Sequence, residues 1–383
     1  MNFLLSPEQE SIRRAADEFA KGEFKREIAL EHELNHRFPI DLLRKAASLG
    51  FIGIHYPEKY GGQGYGLLEN VLVTEAFCKQ DSGLGIALTN ADVASSPILL
   101  FGKEEHKEKY LPLLATGKAI SSIAFTEPDH GSDITCLTTQ AIKRNGEYII
   151  NGVKIFITNG PISDFFVVLC QTDMEVSPSY RGQSMILVEK GMKGFTVTEC
   201  GEKMGNKMVP TGELAFSDVR VPASFIVGEE NRGFYQAMRV LEEIRIRIAG
   251  QALGIAQGAF ERTVSYLKSR RQFGKRLGEF QVLRHRLAKM KVKIETARLL
   301  VYKAAWVHDM KLPDEGISAM AKSYASRVAH EVVDEAIQMH GGYGYMLEYD
   351  LERFYRDARL LEIYGGTTEI QNEKIAKGIL GEY

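Results

Sequence analysis

The chain is short of cysteine. Its 383 residues hold four (Cys78, Cys136, Cys170 and Cys200), far apart and without a Cys-x-x-Cys pair. That spacing excludes a disulfide framework and a thiolate zinc site, and it predicts reduced thiols in a cytoplasmic setting. Charge of one sign is missing as well. Forty-eight Lys and Arg against 50 Asp and Glu leave −2, which excludes the basic footprint of a nucleic-acid binder. Long apolar runs are absent: stretches such as residues 165–170 fall far short of the ~20 residues of a membrane span. Charge is scattered through the first 21 residues, so no secretory leader is expected. No Gly-x-Gly-x-x-Gly follows a first strand and no Walker loop occurs, which removes the Rossmann and P-loop readings. No repeat and no low-complexity tract interrupts the chain.

What is present changes period twice. Up to about Gly117 the apolar positions are helical, as in Ile12, Ala15, Ala16 and Phe19, or Leu42, Leu43, Ala46 and Leu49 ahead of Gly50. From Ser121 to about Val221 the pattern turns to β. Asn145-Gly146 and Asn151-Gly152 read as tight turns between β-branched runs. Residues 165–170, 184–188, 195–198 and 213–221 have the length and composition of strands. From about Gly233 long helical patterns return over 231–268, 280–310 and 317–339, with Leu312-Pro313 as a break. The fold class expected is α+β, mostly α, in three domains at 1–120, 121–226 and 227–383.

Five segments carry chemistry. Residues 124–133, with Phe125, Thr126, Gly131 and Ser132, offer hydroxyls and turn amides of the kind a flavin ring or a pyrophosphate needs. Residues 154–160 end a strand in Thr158-Asn159-Gly160. The segment 269–275 places Arg270, Gln272, Phe273 and Lys275 together, suited to a phosphate and a stacked base. Gln338, Gly341 and Gly342 close another helix, where glycine lets backbone approach a phosphate. Thr367 and Glu369 open the last helix, whose N-terminus favours an anion. Taken singly, each also reads as an ordinary turn, cap or solvated helix end.

In this order the five segments, with Arg356-Asp357-Ala358, resemble the acyl-CoA dehydrogenases over essentially the whole chain. The resemblance implies a helical domain, a β-barrel-like middle domain and a C-terminal four-helix bundle. It implies FAD faced by Phe125, Thr126, Gly131, Ser132, Phe156 and Thr158. Arg270, Gln272, Phe273, Gln338, Gly341 and Gly342 would reach FAD across a homotetramer boundary, and Thr367 and Glu369 would contact its adenosine side. An acyl-CoA thioester would meet Ser132, Glu242, Arg245, Tyr364 and Gly365, the Gly365 N–H and the FAD ribityl group holding its carbonyl oxygen. An electron-transfer flavoprotein would be the acceptor. Phe156 stands where relatives usually have Trp. No metal is expected.

One departure matters for mechanism. Relatives place the base that removes the α-proton in a Tyr-Glu-Gly-Thr motif; here it reads Tyr364-Gly365-Gly366-Thr367. Other branches place it one residue before an arginine that matches Arg245, where this chain has Ile244. Three readings follow. In the first, Glu243 is a relocated base for ordinary α,β-dehydrogenation of a short, branched or cyclic acyl-CoA, although one helical position is a ~100° rotation. In the second, Asp92 is the base. By itself this residue, in the small apolar segment 88–94, also reads as a helix-capping or salt-bridged Asp, but a carboxylate buried there unpaired is costly and such groups mark acid–base sites. That combination resembles the cyclohex-1-ene-1-carboxyl-CoA dehydrogenases, which would imply a 1,4-elimination (C3/C6) to a conjugated diene. In the third, the chain is a flavin-binding relative that is not a dehydrogenase.

Overall fold

The computed structural model describes residues 4–314 and 316–381. Seven helices come first: α1 (Pro7–Glu23), α2 (Arg26–Leu34), α3 (Ile40–Ser48), α4 (Leu67–Gln80), α5 (Ser82–Thr89), α6 (Ser95–Phe101) and α7 (Glu104–Ala115). Local sequence fixes their ends. Ser6 accepts the Gln9 N–H while the Gln9 side chain accepts the Ser6 N–H, a reciprocal cap on α1. Asp81 caps α5 through the Leu84 N–H at 2.9 Å.

Eight strands follow: β1 (Ser121–Ala124), β2 (Gln140–Arg144), β3 (Glu147–Thr158), β4 (Phe165–Gln171), β5 (Gln183–Glu189), β6 (Phe195–Glu199), β7 (Thr211–Pro222) and β8 (Ile226–Val227). They form one mixed sheet in the order β6-β7-β3-β2-β4-β5-β8, with β1 parallel to β4. Every residue of β4 is buried. One face, with Val167 and Leu169, packs on Ile98 and Leu111 of the helical stretch. The other, with Phe166 and Val168, packs on Tyr148, Leu214 and Phe216 of the sheet. A strand covered on both faces needs a continuous apolar run, which is what the sequence has.

Asn145-Gly146 makes the expected turn, with φ of 51° and 81°. Asn151-Gly152 does not. It lies inside β3, where the ladder to β7 shifts register between Ile150 and Gly152. A Cβ on Gly152 would stand 2.6 Å from the Thr139 Cα, so the glycine serves a bulge and a close backbone approach.

The helical remainder comprises α8 (Gly233–Ser269), α9 (Gln281–Asp309), α10 (Ile317–His340), α11 (Leu351–Leu360) and α12 (Thr368–Leu380). Between α8 and α9 lies a small hairpin, β9 (Arg271–Gln272) with β10 (Lys275–Arg276). Helix α8 packs against α4, α9 and α10. Its residues 245–256 are all buried, the pattern of a helix surrounded by others. Among the described residues, no helix is long and apolar enough to cross a membrane.

Candidate functional site

Helix α8 is also where buried charge concentrates. Glu243 and Arg247, one turn apart, share a face. Arg247 forms a buried ion pair with Asp92, and it donates to the Thr89 carbonyl at 2.8 Å. The Tyr56 hydroxyl donates to the other Asp92 oxygen at 2.5 Å. Asp92 is thus 3 % exposed, as the sequence suggests, but it is not unpaired. Arg247 and Tyr56 hold a carboxylate that water has left, and such pairing is what makes a buried charge tolerable.

Glu243 looks a different way. Its carboxylate accepts the Ser96 hydroxyl at 2.7 Å and lies 3.7 Å from His55 Nε2. Burial pushes its pKa up, but His55, Arg247 and Ser96 outweigh this and hold it at about 2. Helix α8 runs through this region as regular α-helix, so no local bulge turns Glu243 toward the position of Ile244.

Gly365 follows Tyr364 in the turn before α12, with φ of 63°. A Cβ built on it would collide with Ile248 Cδ1 and stand 3.8 Å from Ile244 Cγ2. The two places where the resemblance puts a glutamate, 365 and 244, therefore converge on one spot, and apolar atoms fill it. The Gly365 N–H makes no hydrogen bond among the described residues. Its carbonyl accepts Gln371 at 3.1 Å, and the Gly366 carbonyl accepts Gln371 at 2.8 Å and Lys322 at 2.6 Å. Burial and the nearby Arg245 lower the Lys322 pKa to about 8.

A hydrogen-bond chain links this turn to Asp92. The Tyr364 hydroxyl bonds Gln251, whose amide donates to the Thr89 hydroxyl at 2.9 Å and to the Asn90 side chain at 3.0 Å. Thr89 in turn accepts Arg247, the partner of Asp92. His55, Tyr56, Arg247 and Gln251 were not singled out in the sequence. Only Arg247 carried a signal, its one-turn spacing from Glu243. Arg245 is buried, and its Nε and Nη1 have no hydrogen-bond partner among the described residues. Glu242 is engaged by Arg239 at 3.1 Å and Lys374 at 3.2 Å.

The remaining predicted residues, Thr367 and Glu369 apart, fall into two groups. In the first, Phe125 and Thr126 lie beside the end of β3, where the Ile155 N–H donates to the Thr126 carbonyl at 3.0 Å. The β3–β7 register shifts again between Lys154 and Ile157, and Phe156 takes φ of 57° with 67 % exposure. The hydroxyls of Thr126, Ser132 and Thr158 have no partner among the described residues. A Cβ on Gly131 would meet nothing within 4 Å. In the second group, Arg270 stacks on Tyr343, 5.1 Å from its ring centroid, so the hairpin meets the Gly341–Tyr345 turn. Gln272 and Gln338 are exposed, Phe273 is 91 % exposed, and Gly341 and Gly342 have open space around them. Thr367 and Glu369 belong to neither group: they follow the turn that packs on Ile248 and Lys322, where Thr367 caps α12 through the Ile370 N–H and Glu369 is exposed. The groups are not brought together within one chain. The 37 residues of α8, about 55 Å of helix, separate its N-terminus, packed against Ser184 of β5, from Arg270. Unpartnered hydroxyls, open glycines and a solvent-facing aromatic form a donor and stacking set that fits FAD.

Comparisons with known proteins agree with this architecture. Three family models match: "Acyl-CoA dehydrogenase, N-terminal domain" over 6–118, "middle domain" over 122–219 and "C-terminal domain" over 231–380. The chain is 42 % identical to the short-chain specific acyl-CoA dehydrogenase of Clostridium acetobutylicum, over 97 % of each chain. It is 39 % identical to the CarC subunit of the caffeyl-CoA reductase-Etf complex of Acetobacterium woodii, over 98 % of each. The butyryl-CoA dehydrogenase structure from Megasphaera elsdenii superposes with a TM-score of 0.95 at 39 % identity, covering 99 % of this chain and 100 % of that one. The chain belongs to the acyl-CoA dehydrogenase family, FAD-dependent oxidoreductases acting on CH–CH groups.

Proposed function

We propose that this enzyme removes hydrogen from a cyclic enoyl-CoA such as cyclohex-1-ene-1-carboxyl-CoA by 1,4-elimination, with Asp92 as the base. One observation carries the reading. Where 365 and 244 converge there is no carboxylate, while a buried carboxylate stands at Asp92, joined to the Tyr364–Gly365 turn through Gln251 and Thr89.

The chemistry follows from conjugation. In a C1=C2 enoyl thioester the C3–H is acidified through the double bond. Asp92 takes that proton, and the electron pair moves into a dienolate whose oxygen accepts the Gly365 N–H. A hydride equivalent leaves C6, on the other side of Cα, and C2=C3 and C1=C6 double bonds result. FAD, when bound, is the two-electron acceptor. Ile244 and Ile248 line the side where relatives carry a base, so a Cα proton finds no acceptor there. The ordinary α,β-route through Glu243 is weaker. The Glu243 carboxylate faces Ser96 of α6 and His55, and it is not on the chain that joins Asp92 to the Tyr364–Gly365 turn.

The same reading includes an electron-transfer flavoprotein as acceptor, in line with the Etf complex named for the CarC relative. It includes a cytoplasmic homotetramer. Val292, Leu299 and Trp306, seven residues apart and each about half exposed or more, give α9 an apolar edge for another subunit. Relatives named as reductases, among them the acryloyl-CoA reductase of Anaerotignum propionicum, favour a second direction of use, with the proton returned from Asp92 to C3.

An anaerobic screen of saturated, branched and cyclic acyl-CoAs for flavin bleaching tests the proposal. Cyclohexenyl-CoA should bleach and butyryl-CoA should not. The reverse order restores the ordinary reaction, and bleaching by none supports a non-dehydrogenase role.

A further inference from the structure

Buried in the sheet is an ion pair that the reaction above does not use. Lys154 is fully buried and Glu127 is 1 % exposed. The Lys154 ammonium donates to Glu127 at 2.8 Å and to the Phe125 carbonyl at 3.0 Å. Glu127 also accepts the Thr138 N–H at 2.7 Å, the Thr138 hydroxyl at 2.6 Å and the Thr139 N–H at 2.9 Å. Four donors on one carboxylate is more than holding a strand in place requires.

The position of the pair explains the excess. Lys154 is the last regular residue before the bulge that turns Phe156 outward, and the next residue, Ile155, bonds the Thr126 carbonyl. On the opposite side, Ser122 donates to the Thr158 carbonyl at 2.5 Å. Residues 125–126 and 156–158 are therefore fastened to each other through Lys154, Ile155 and Ser122. With the Phe125, Thr126 and Thr158 carbonyls engaged, the Thr126 and Thr158 hydroxyls keep fixed positions without spending their own hydrogen bonds. We propose that Glu127 and Lys154 are positioning residues for the flavin, locking the two walls in register so that their free hydroxyls meet its ring. The inference rests on the assignment of Thr126 and Thr158 to FAD. Because the pair has no net charge, it sets the geometry without imposing a charge on the flavin.

The test is FAD binding to apoprotein, read by quenching of FAD fluorescence, together with the visible spectrum of the bound flavin. Lys154→Met and Glu127→Gln should each weaken FAD by roughly tenfold or more, the scale of loss when groups that orient contact residues are removed, and should alter the spectrum. Lys154→Arg should restore part of both. If the single variants do not fold, the double variant Glu127→Gln with Lys154→Met, which leaves no lone buried charge, should fold and still bind FAD weakly. Asp81→Asn, which removes one of three carboxylates around the equally buried Arg353 of α11, controls for stability and should leave the FAD affinity unchanged. Variants of the pair that lower Tm but leave affinity and spectrum as in wild type overturn the proposal. If Thr126→Ala and Thr158→Ala leave FAD binding intact, the flavin assignment itself fails. If they weaken it while Lys154→Met and the double variant do not, only the role of the pair fails.

Discussion

Tyr56 and Asp92 share a buried 2.5 Å hydrogen bond between a loop of the first helical stretch and the segment after α5. With Arg247 on the second carboxylate oxygen, the bond leaves Asp92 little freedom to rotate. A base that must meet one hydrogen of a ring gains from such fixing. Tyr56→Phe should retain FAD and acyl-CoA binding and lose about 1–2 kcal/mol of stability. Flavin reduction by cyclohexenyl-CoA should slow more than substrate binding weakens. Stopped-flow absorbance with substrate titration separates the two. Equal loss of both would make Tyr56 purely structural.

Gly365 and Ile248 define the second prediction. A glutamate at 365 must adopt φ of 63° and displace Ile248 Cδ1. Gly365→Glu alone should cost about 1–3 kcal/mol from backbone and overlap together. Pairing it with Ile248→Ala should relieve the overlap and introduce oxidation of saturated acyl-CoAs. Chemical denaturation and a butyryl-CoA assay check both parts.

Glu243 should prove structural. Its pKa, held at about 2 against a usual 4.5, means that its contribution to stability is complete above pH 4.5 and is lost as pH falls toward 2. Glu243→Gln should flatten that part of the acid-denaturation curve and change turnover modestly. A turnover loss of about 10³-fold, roughly 4 kcal/mol of barrier, would instead make Glu243 the base.

Asp357 responds in the opposite sense. Burial raises its pKa from 3.8 to about 6, although the Asn206 N–H and the Ser82 hydroxyl both donate to it. A raised folded-state pKa favours the folded form below 3.8 and loses that contribution as pH rises through 6. Relative to wild type, the Tm of Asp357→Asn should therefore rise as pH increases across this interval. A constant difference contradicts the assignment.

The helices and strands were legible because their apolar periods are long and their ends carry caps, as at Ser6 and Asp81. The Asn151-Gly152 turn was misread because what decides it is the Thr139 backbone, reached only once β2 and β3 pair. Asp92 could be picked out as a carboxylate in an apolar segment. Its partners could not, since Tyr56 lies 36 residues away and Arg247 lies 155 away. Likewise, Gly365 and Ile244 could be noted as departures, but their convergence depends on how the turn before α12 packs on α8.

The central claim concerns which hydrogen leaves as a proton. The most direct measurement is anaerobic flavin reduction by cyclohexenyl-CoA carrying deuterium at C3, in wild type and in Asp92→Asn, with binding of FAD and substrate measured in parallel. The account predicts a primary isotope effect in wild type, and an Asp92→Asn variant that binds both molecules and does not bleach. Rapid oxidation of saturated acyl-CoAs by wild type, with an isotope effect at Cα and no dependence on Asp92, would contradict it.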